Sequence, residues 1–578
     1  MYYLKGNRLV EHLVFFAVCG LLLVFLFAKE AHNAKKKEKD FVASLYAQYG
    51  KFPDKEYSLE RFAKIESYWK RHRAADGVDD ITWNDLSMDA VFKRMDYTLS
   101  ATGEEYLYHT LRNTNRTVND LKRQEEVIQY FETHPDDRVK IQYNMYQLGY
   151  TKSYSLYDYL EHLEQLGERS NRRHIICNLL FLPFVALAFY DLSLALTGMA
   201  ILLCYNILSY FKEKGEIEPY IICFAYIVRL INVCKKMIQT TVPVCKEEWQ
   251  EIREAVRKLD ALNKDSYFVF SGNKGGNTSG NPLEMLLDYG RMMFHLDLMQ
   301  FNKMLHVVRA HIGEIDTLIS RVGYLESCIS IGAFRASLKN GYCVPIFQEE
   351  KYVVDIKGLY HPLLEKPVKN SIQTDKGVLI TGSNASGKST FLKAVAINAI
   401  FAQTIHTCMA TEYQAPIVRI YSSMSLKDDL ESGESYYMAE IRAIKRILDA
   451  TCEADNERNG AKKSPVLCFV DEVLRGTNTV ERIAASTQIL KSLSGEAVLC
   501  FAATHDIELT GLLEDVYNNY HFEENISDGD VNFPYKILEG KATSRNAIRL
   551  LEIMGYEECL IKEAIRRAEY FAEFGEWR

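Results

Sequence analysis

Apolar and polar positions divide this chain into stretches of different texture. Residues 41–173 carry Leu, Tyr and Phe at helical spacing among many charges, and Val127–Phe131 through Tyr143–Leu148 is amphipathic in this sense. The same helical texture returns over 212–350. It is interrupted by Ser271–Pro282, which is Gly-rich, lacks the phosphate-loop spacing and reads as a flexible loop. Two stretches are different in kind. Leu13–Ala28 is 16 residues without a charge, and Ile175–Phe211 is 37 residues with one charge, Asp191. From about residue 350 short apolar runs alternate with helical stretches: Tyr352–Ile356, Val378–Ile380, Val466–Val470 and Ala497–Ala503. That alternation predicts an α/β unit with a mostly parallel sheet. Glu453–Ser464 reads as a solvated loop between its elements.

The second apolar run is too long for one membrane span and carries its charge near the middle. It predicts a helical hairpin, Ile175–Tyr190 and Leu194–Phe211, turning at Asp191–Ser193. Each arm is near the short end of the ~17–25 residues that a span needs. Arg172 and Arg173 precede the hairpin, and Lys212 and Lys214 follow it, so both ends are expected on the cytoplasmic side. Lys29, Lys35, Lys36, Lys37 and Lys39 follow the first run, which puts the bulk of the chain inside. The resulting expectation is a multi-pass membrane protein with about three spans. Two alternatives stay open: the first run as a cleaved signal peptide, and the second as a buried pair of soluble helices. The segments expected are an anchor at 1–40 (span 13–28), a helical region at 41–173, the hairpin at 174–211, a second helical region at 212–350 and the α/β unit at 351–578.

Composition changes this picture little. Hydrophobic residues are 48% and charged residues 25%, and 28 Phe with 36 Tyr supply ample core, which excludes general disorder. The 13 cysteines show no CxxC or Cys/His metal spacing, so reduced thiols in a reducing compartment are expected. A net charge of −8 does not advertise nucleic-acid binding.

Specific chemistry begins at Gly382-Ser-Asn-Ala-Ser-Gly-Lys-Ser389, which fits GxxxxGK[ST]. It follows a strand-like run and precedes the helix-like Phe391–Ile400, the context in which backbone N–H groups cradle phosphate at a helix N-terminus. Lys388 then reaches the β and γ phosphates of ATP, and the Ser389 hydroxyl ligands Mg²⁺. Val466–Val470 ends in Asp471-Glu472. Asp471 is the expected second Mg²⁺ ligand and Glu472 the group that polarises the attacking water. A further strand-like run ends in Thr504-His505, which places His505 for the γ-phosphate or its water. The expected fold is therefore an α/β P-loop NTPase of the ABC type, and the expected activity is ATP hydrolysis.

Four motifs in order carry a resemblance. Thr381–Thr390 resembles the TGPNMGGKST box of the MutS DNA mismatch repair ATPases. Asp428–Glu440 looks like their DDLASGRSTFMxE segment, Asp471–Thr479 like DEIGRGTST, and Ala503–Thr510 like ATHYFELT. Upstream, Asp96–Gly103 through Leu111 and Arg123–Ile128 are similar to the start of the MutS core domain; Ile315–Leu318 and His361–Glu365 also look like family positions. The resemblance implies a MutS-like ATPase head at 351–578 and an all-α core-like region before it, interrupted by transmembrane helices. It implies nucleotide contacts from Gly382, Ser383, Asn384, Ala385, Ser386, Gly387, Lys388, Ser389 and Thr390. It further implies that Ser432, Gly433 and Ser435 reach the partner subunit's nucleotide, and that Arg475–Thr477 cross the interface of a homodimer with two composite ATP sites. Departures are Ser383, Ala385 and Ser386 for the usual Pro, Met and Gly, and Glu434, Tyr436 and Tyr437 in the second motif. No segment corresponds to a mismatch-reading domain; Phe347-Gln-Glu349 and Phe522-Glu-Glu524 have the aromatic-x-Glu form but lie elsewhere.

The function implied is an ATP-dependent, membrane-anchored DNA-binding clamp of the mismatch-repair type that does not itself read mismatches. Its expected partners are DNA, a second copy of the chain and the lipid bilayer. One alternative is a membrane ATPase scaffold that senses something other than DNA. The other is an ABC-type transporter ATPase, which the 38 residues between Gly433 and Asp471 oppose.

Overall fold

The computed structural model describes residues 32–74, 76–151, 155–240, 242–265, 289–290, 292–348, 352–383, 385–424, 436–455, 464–475, 477–527, 530–542 and 547–576, with Phe25 and Lys29. The rest of the Leu13–Ala28 run, the Gly-rich loop 271–282, Asn384, Ser432, Gly433 and Ser435 lie outside the described residues.

The described residues up to 340 are helical apart from short connections. Their helices start where short polar side chains can take up free N–H groups. Ser58 caps Leu59–Arg71, Ser100 caps Ala101–Arg112, and Thr117 with Asp120 forms a capping box on Val118–Thr133. The helix Ile312–Ser337 is the spine against which Ala101–Arg112, Val118–Thr133 and Lys246–Lys258 pack. Its contact with Ala101–Arg112 is close because two glycines face it. A Cβ on Gly103 would stand 2.1 Å from the Glu326 carboxylate, and one on Gly323 2.4 Å from Tyr106 Cβ. The space admits Glu326, which accepts the N–H groups of Leu99 and Ser100 and the Ser100 hydroxyl. Asp96 accepts from Tyr57 and Thr98 and pairs with Lys55 at 2.7 Å. The Asp96–Gly103 motif is thus a buried polar joint between helices.

The Ile175–Phe211 run forms two antiparallel arms. Phe184 lies against Gly198, and Arg173 pairs with Glu213 at 3.5 Å across the root. The first arm is two short helices, Arg172–Leu179 and Phe181–Leu187, with Pro183 in the first turn of the second, where proline is tolerated. Asp191 is the N-cap of the second arm, accepting from Leu194 N–H at 3.0 Å, so Ser193 belongs to the helix and not to the turn. That arm does not stop at Phe211. It is one helix of 46 residues, Leu192–Met237. It runs on through Gly215 and Pro219 because its continuation buries Ile217, Ile221, Phe224 and Tyr226 in the helical core, and that packing outweighs the low helix propensity of the glycine and the proline. It is the one helix among the described residues long and apolar enough to cross a bilayer. Asn178 and Asn206 donate to the carbonyls of Phe294 and Met293, so the lower hairpin is clamped by the chain entering Leu296–Ala310.

Beyond residue 340 the described residues form two multi-stranded sheets and a two-stranded antiparallel ribbon, Asn525–Ser527 with Asp530–Asn532. The larger has six strands in the order Ile537–Glu539, Tyr517–Phe522, Gly377–Thr381, Val498–Ala503, Val466–Asp471, Arg419–Ser423, parallel except at the first edge. The smaller is mixed: Ile346–Phe347, Glu412–Ala415, Val354–Leu359, Asn370–Thr374. The Tyr352–Ile356 run therefore contributes to an antiparallel pair, not to the parallel sheet. The sheet fabric also begins before residue 350, at Ile346. Ile548–Phe571 is two helices, Ala547–Ile553 and Glu558–Phe574, parted at Gly555, whose φ of +78° suits glycine.

The helical part and the sheets share one hydrophobic core. Polar contacts fix their joint. Arg335 makes a bidentate pair with Glu125 (2.9 and 2.6 Å) and donates to Thr407 Oγ1 and His406 O. Asp85 accepts from Ser422 Oγ and Met424 N, and Arg446 pairs with Asp79 at 2.5 Å. Burial pushes the Glu125 carboxyl up, but His406 and Arg335 outweigh it and hold it at about 2. Its stabilising contribution is complete above the ordinary value of 4.5 and is lost as pH falls towards 2. Arg335→Met should cost up to about 3–5 kcal/mol by removing the guanidinium from a buried carboxylate that then keeps only His406 and Gln129. Thermal melts should show a lower midpoint at neutral pH, and the gap to wild type should narrow as pH falls from 4.5.

Candidate nucleotide site

The strand Gly377–Thr381 is buried along its whole length and delivers the chain into a turn that only small residues can follow. Gly382 has φ +144°, Ala385 +66° and Gly387 +107°. A Cβ on Gly382 would stand 2.8 Å from Phe522 O, so glycine is required there on two counts. The helix Lys388–Ile405 begins directly after the turn, with the N–H groups of its first turn facing the loop. Ser383 donates to Glu524 at 2.9 Å, which anchors the outer limb. Ser386 Oγ is buried and has no hydrogen-bond partner among the described residues.

Lys388 is buried, and its ammonium donates to Gly382 O at 2.8 Å and Ser383 O at 2.9 Å. Burial lowers its pKa, against the pull of Asp471, Glu472 and Glu524. Asp471 ends the strand Val466–Asp471 and accepts a hydrogen bond from Ser389. Burial raises the Asp471 pKa, while that bond and Lys388 oppose the rise. Glu472 follows with φ +61° and is tethered by its N–H to Ala503 O at 2.9 Å. Its carboxylate meets His505 Nε2 at 2.9 Å and Arg475 Nε at 2.6 Å, and the His505 bond is the main reason its pKa is lowered. His505 Nε2 is also 3.4 Å from Lys388 Nζ. With one nitrogen between an ammonium and a carboxylate, the proton belongs on Nε2, donated to Glu472. Thr504 N–H bonds Ile380 O at 3.0 Å, which locks this corner to the strand before the loop. Asp506, held by Arg482 at 2.6 Å, fixes the other side.

These groups line one cavity of about 540 Å³. The structure brings together Ser383, Ala385, Ser386, Gly387, Lys388, Ser389, Thr390, Asp471, Glu472 and His505 on it, with Gly382 directly behind. Tyr360, His361, Leu364, Asn370 and Tyr535 also line it and were not singled out as site residues. His361 lies in a stretch noted only as a family position. Tyr535 carried no signal, because it arrives from the antiparallel edge of the sheet.

The residues fit a nucleoside triphosphate with Mg²⁺. A glycine cradle that a Cβ would fill, a helix N-terminus, a buried lysine and an unpartnered buried hydroxyl suit phosphate oxygens. The Ser389 hydroxyl with the Asp471 carboxylate is an all-oxygen donor pair of the kind Mg²⁺ takes.

Comparison with known proteins agrees with this chemistry. Residues 378–572 match the family profile of MutS domain V. Over 279 residues the chain is 30% identical to the DNA mismatch repair protein MutS of Lactobacillus acidophilus, covering 46% of this chain and 31% of that protein. It is 30% identical over 237 residues to the protein of the same name from Thermus thermophilus (40% and 27%) and over 264 residues to that from Aquifex pyrophilus (44% and 29%). The chain thus spans about a third or less of the length of these relatives.

Gly382→Ala should displace the phosphate loop from Phe522 O, at about 1–3 kcal/mol of backbone strain, and weaken binding of a non-hydrolysable triphosphate by about tenfold or more. Calorimetric titration against wild type measures this.

Proposed function

The chain belongs to the MutS family through residues 378–572, and we propose that it binds and hydrolyses ATP to drive a DNA-binding clamp held at a membrane. One observation carries the ATPase reading. Ser389 with Asp471, and Glu472 with His505, gather around Lys388 in a single cavity. Gly382–Thr390 would wrap the phosphates, with Lys388 exchanging its two loop carbonyls for β- and γ-oxygens. Ser389 and Asp471 would hold Mg²⁺, which supplies charge neutralisation on the phosphates when bound. Glu472 stays ionised at neutral pH, because its pKa is lowered, and so can accept a proton from or orient a water. His505 and Arg475 fix its carboxylate in place. Asn384, Ser432, Gly433 and Ser435 are proposed nucleotide contacts from the resemblance alone, the last three toward a partner subunit in a homodimer.

The membrane reading is supported by the hairpin surface. Leu182, Phe189, Tyr190, Ile201 and Leu208 are each more than 60% exposed, an apolar patch that water does not favour. With the basic root of Arg172, Arg173, Lys212 and Lys214, the hairpin suits a bilayer with the head on the cytoplasmic side. Leu13–Ala28 would add a further span. DNA comes to this chain as the ligand its relatives' names indicate. A non-DNA scaffold is the second reading, favoured by the net charge of −8.

Lys388→Ala should abolish nucleotide binding, and Glu472→Gln should bind normally but lower kcat by about 10²–10⁴; unchanged hydrolysis in either overturns the site. Filter binding with and without a non-hydrolysable ATP analogue should show DNA retention that falls steeply with salt, equal for homoduplex and mismatch. No retention in either state favours the scaffold. The wild type should fractionate with membranes. Removing residues 1–28 and placing Glu at Leu182, Ile201 and Leu208 should release it, and a wild-type protein found in the soluble fraction would refute the anchor.

A further inference from the structure

The Glu472 loop is held in an unfavourable backbone by something other than its own residues. Glu472 (φ +61°) and Leu474 (φ +57°) are both left-handed without being glycine. For L side chains this conformation persists only where surroundings over-determine it. Thr477 closes the turn with its N–H and hydroxyl on Leu474 O, and Ser486 donates to Val473 O. Those contacts bind the carbonyls. On the N–H side, Ala503 O takes that of Glu472, and beyond it the acceptor is Glu440, from the helix Tyr436–Asp455. Glu440 is 5% exposed, and its Oε1 accepts the Leu474 N–H at 2.5 Å. The N–H of Arg475 lies near this carboxylate and works against the burial that raises its pKa, while Oε2 has no hydrogen-bond partner among the described residues. Arg475 is the residue whose guanidinium holds the Glu472 carboxylate at 2.6 Å.

We infer that Glu440 is a positioning residue for hydrolysis: by accepting the N–H of Leu474, directly before Arg475, it seats the Arg475 side chain and so aims the Glu472 carboxylate. Glu440 is not among the residues that line the cavity. Its effect is therefore confined to turnover. A carboxylate in this place has a cost, since burial and Glu472 both disfavour its charge, while the Leu474 and Arg475 N–H groups oppose them. A side chain needed only to fill space would be apolar here.

The inference rests on the proposed ATPase activity, so the full-length protein is assayed beside Glu472→Gln. Glu440→Met keeps the volume and removes the acceptor; Glu440→Gln keeps one acceptor oxygen. We expect Glu440→Met to lower kcat about 10²-fold, the scale of a small misplacement of a reacting group. KM and the dissociation constant of a fluorescent ATP analogue should be unchanged, and Glu440→Gln should recover most of the turnover. Wild-type kcat in Glu440→Met overturns the inference. So does loss of nucleotide binding in step with turnover, which would make Glu440 a support of the fold as a whole. A wild type no faster than Glu472→Gln would instead refute the ATPase reading itself, and this inference with it.

Discussion

The buried pair of Arg335 with Glu125 is the contact on which the arrangement of the two halves depends. Arg335 is the last basic residue of the helical spine, Glu125 lies on a neighbouring helix, and the remaining donors of the guanidinium go to His406 O and Thr407 Oγ1. Those two acceptors stand at the C-terminal end of Lys388–Ile405, where helix carbonyls are otherwise without partners. Arg116 takes another of them, Thr404 O, at 2.8 Å. The helix that starts at the phosphate loop therefore ends bolted to the helical region. It is 18 residues long, about 27 Å at 1.5 Å per residue. An 18-residue helix buried on almost every face bends little, so a shift of the loop at one end is carried to the spine at the other.

At the loop end the backbone is under tension. Gly382, Ala385, Gly387, Glu472 and Leu474 all have positive φ. Two of the three non-glycine residues among them lie in one loop, next to the carboxylate that faces water chemistry. Strain of this kind persists only when neighbours hold it. Here they do: Phe522 O fills the place of a Gly382 side chain, Thr504 is bonded to Ile380, and Glu440 takes the Leu474 N–H beyond Glu472. The parallel order of the sheet makes this possible, because Gly377–Thr381, Val466–Asp471 and Val498–Ala503 all end on the same edge.

That edge was legible in sequence because phosphate chemistry demands fixed spacing. Lys388, Ser389, Asp471, Glu472 and His505 follow apolar runs that read as buried strands, and each lies at a strand or loop end on the cavity. What was illegible had no such pattern. Arg419–Ser423 and Tyr517–Phe522 are strands of the main sheet, but Arg419, Tyr421, Asn518 and Asn519 break their apolar character. Missing Tyr517–Phe522 hid two facts: that Phe522-Glu-Glu524 runs beside the phosphate loop, where Glu524 holds Ser383, and that Tyr535 lines the cavity. The hairpin's second arm was taken to end where its apolar residues end. The helix runs on past Gly215 and Pro219, however, because Ile217, Ile221, Phe224 and Tyr226 are buried in the core, and packing of that kind overrides local propensity. Glu440 was visible only as the last letter of a motif; its role needs the third dimension.

The same accounting bears on charge. A clamp on DNA needs cations that are free to meet phosphates. Many of this chain's cations are committed internally: Arg61 to Glu104, Arg112 to Asp80, Arg123 to Glu248, Arg335 to Glu125 and Arg482 to Asp506. With a net charge of −8, long-range attraction to a polyanion is weak. An exposed basic run does occur at Lys35, Lys36, Lys37 and Lys39, directly after the first apolar stretch. Near a membrane those lysines would meet anionic headgroups before DNA, since the surface potential acts within about a Debye length. Lipid and DNA would then compete for the same charges. The membrane reading and the DNA reading are thus not independent: the firmer any attachment through that N-terminal segment, the more any DNA affinity would have to come from cations elsewhere on the helical region.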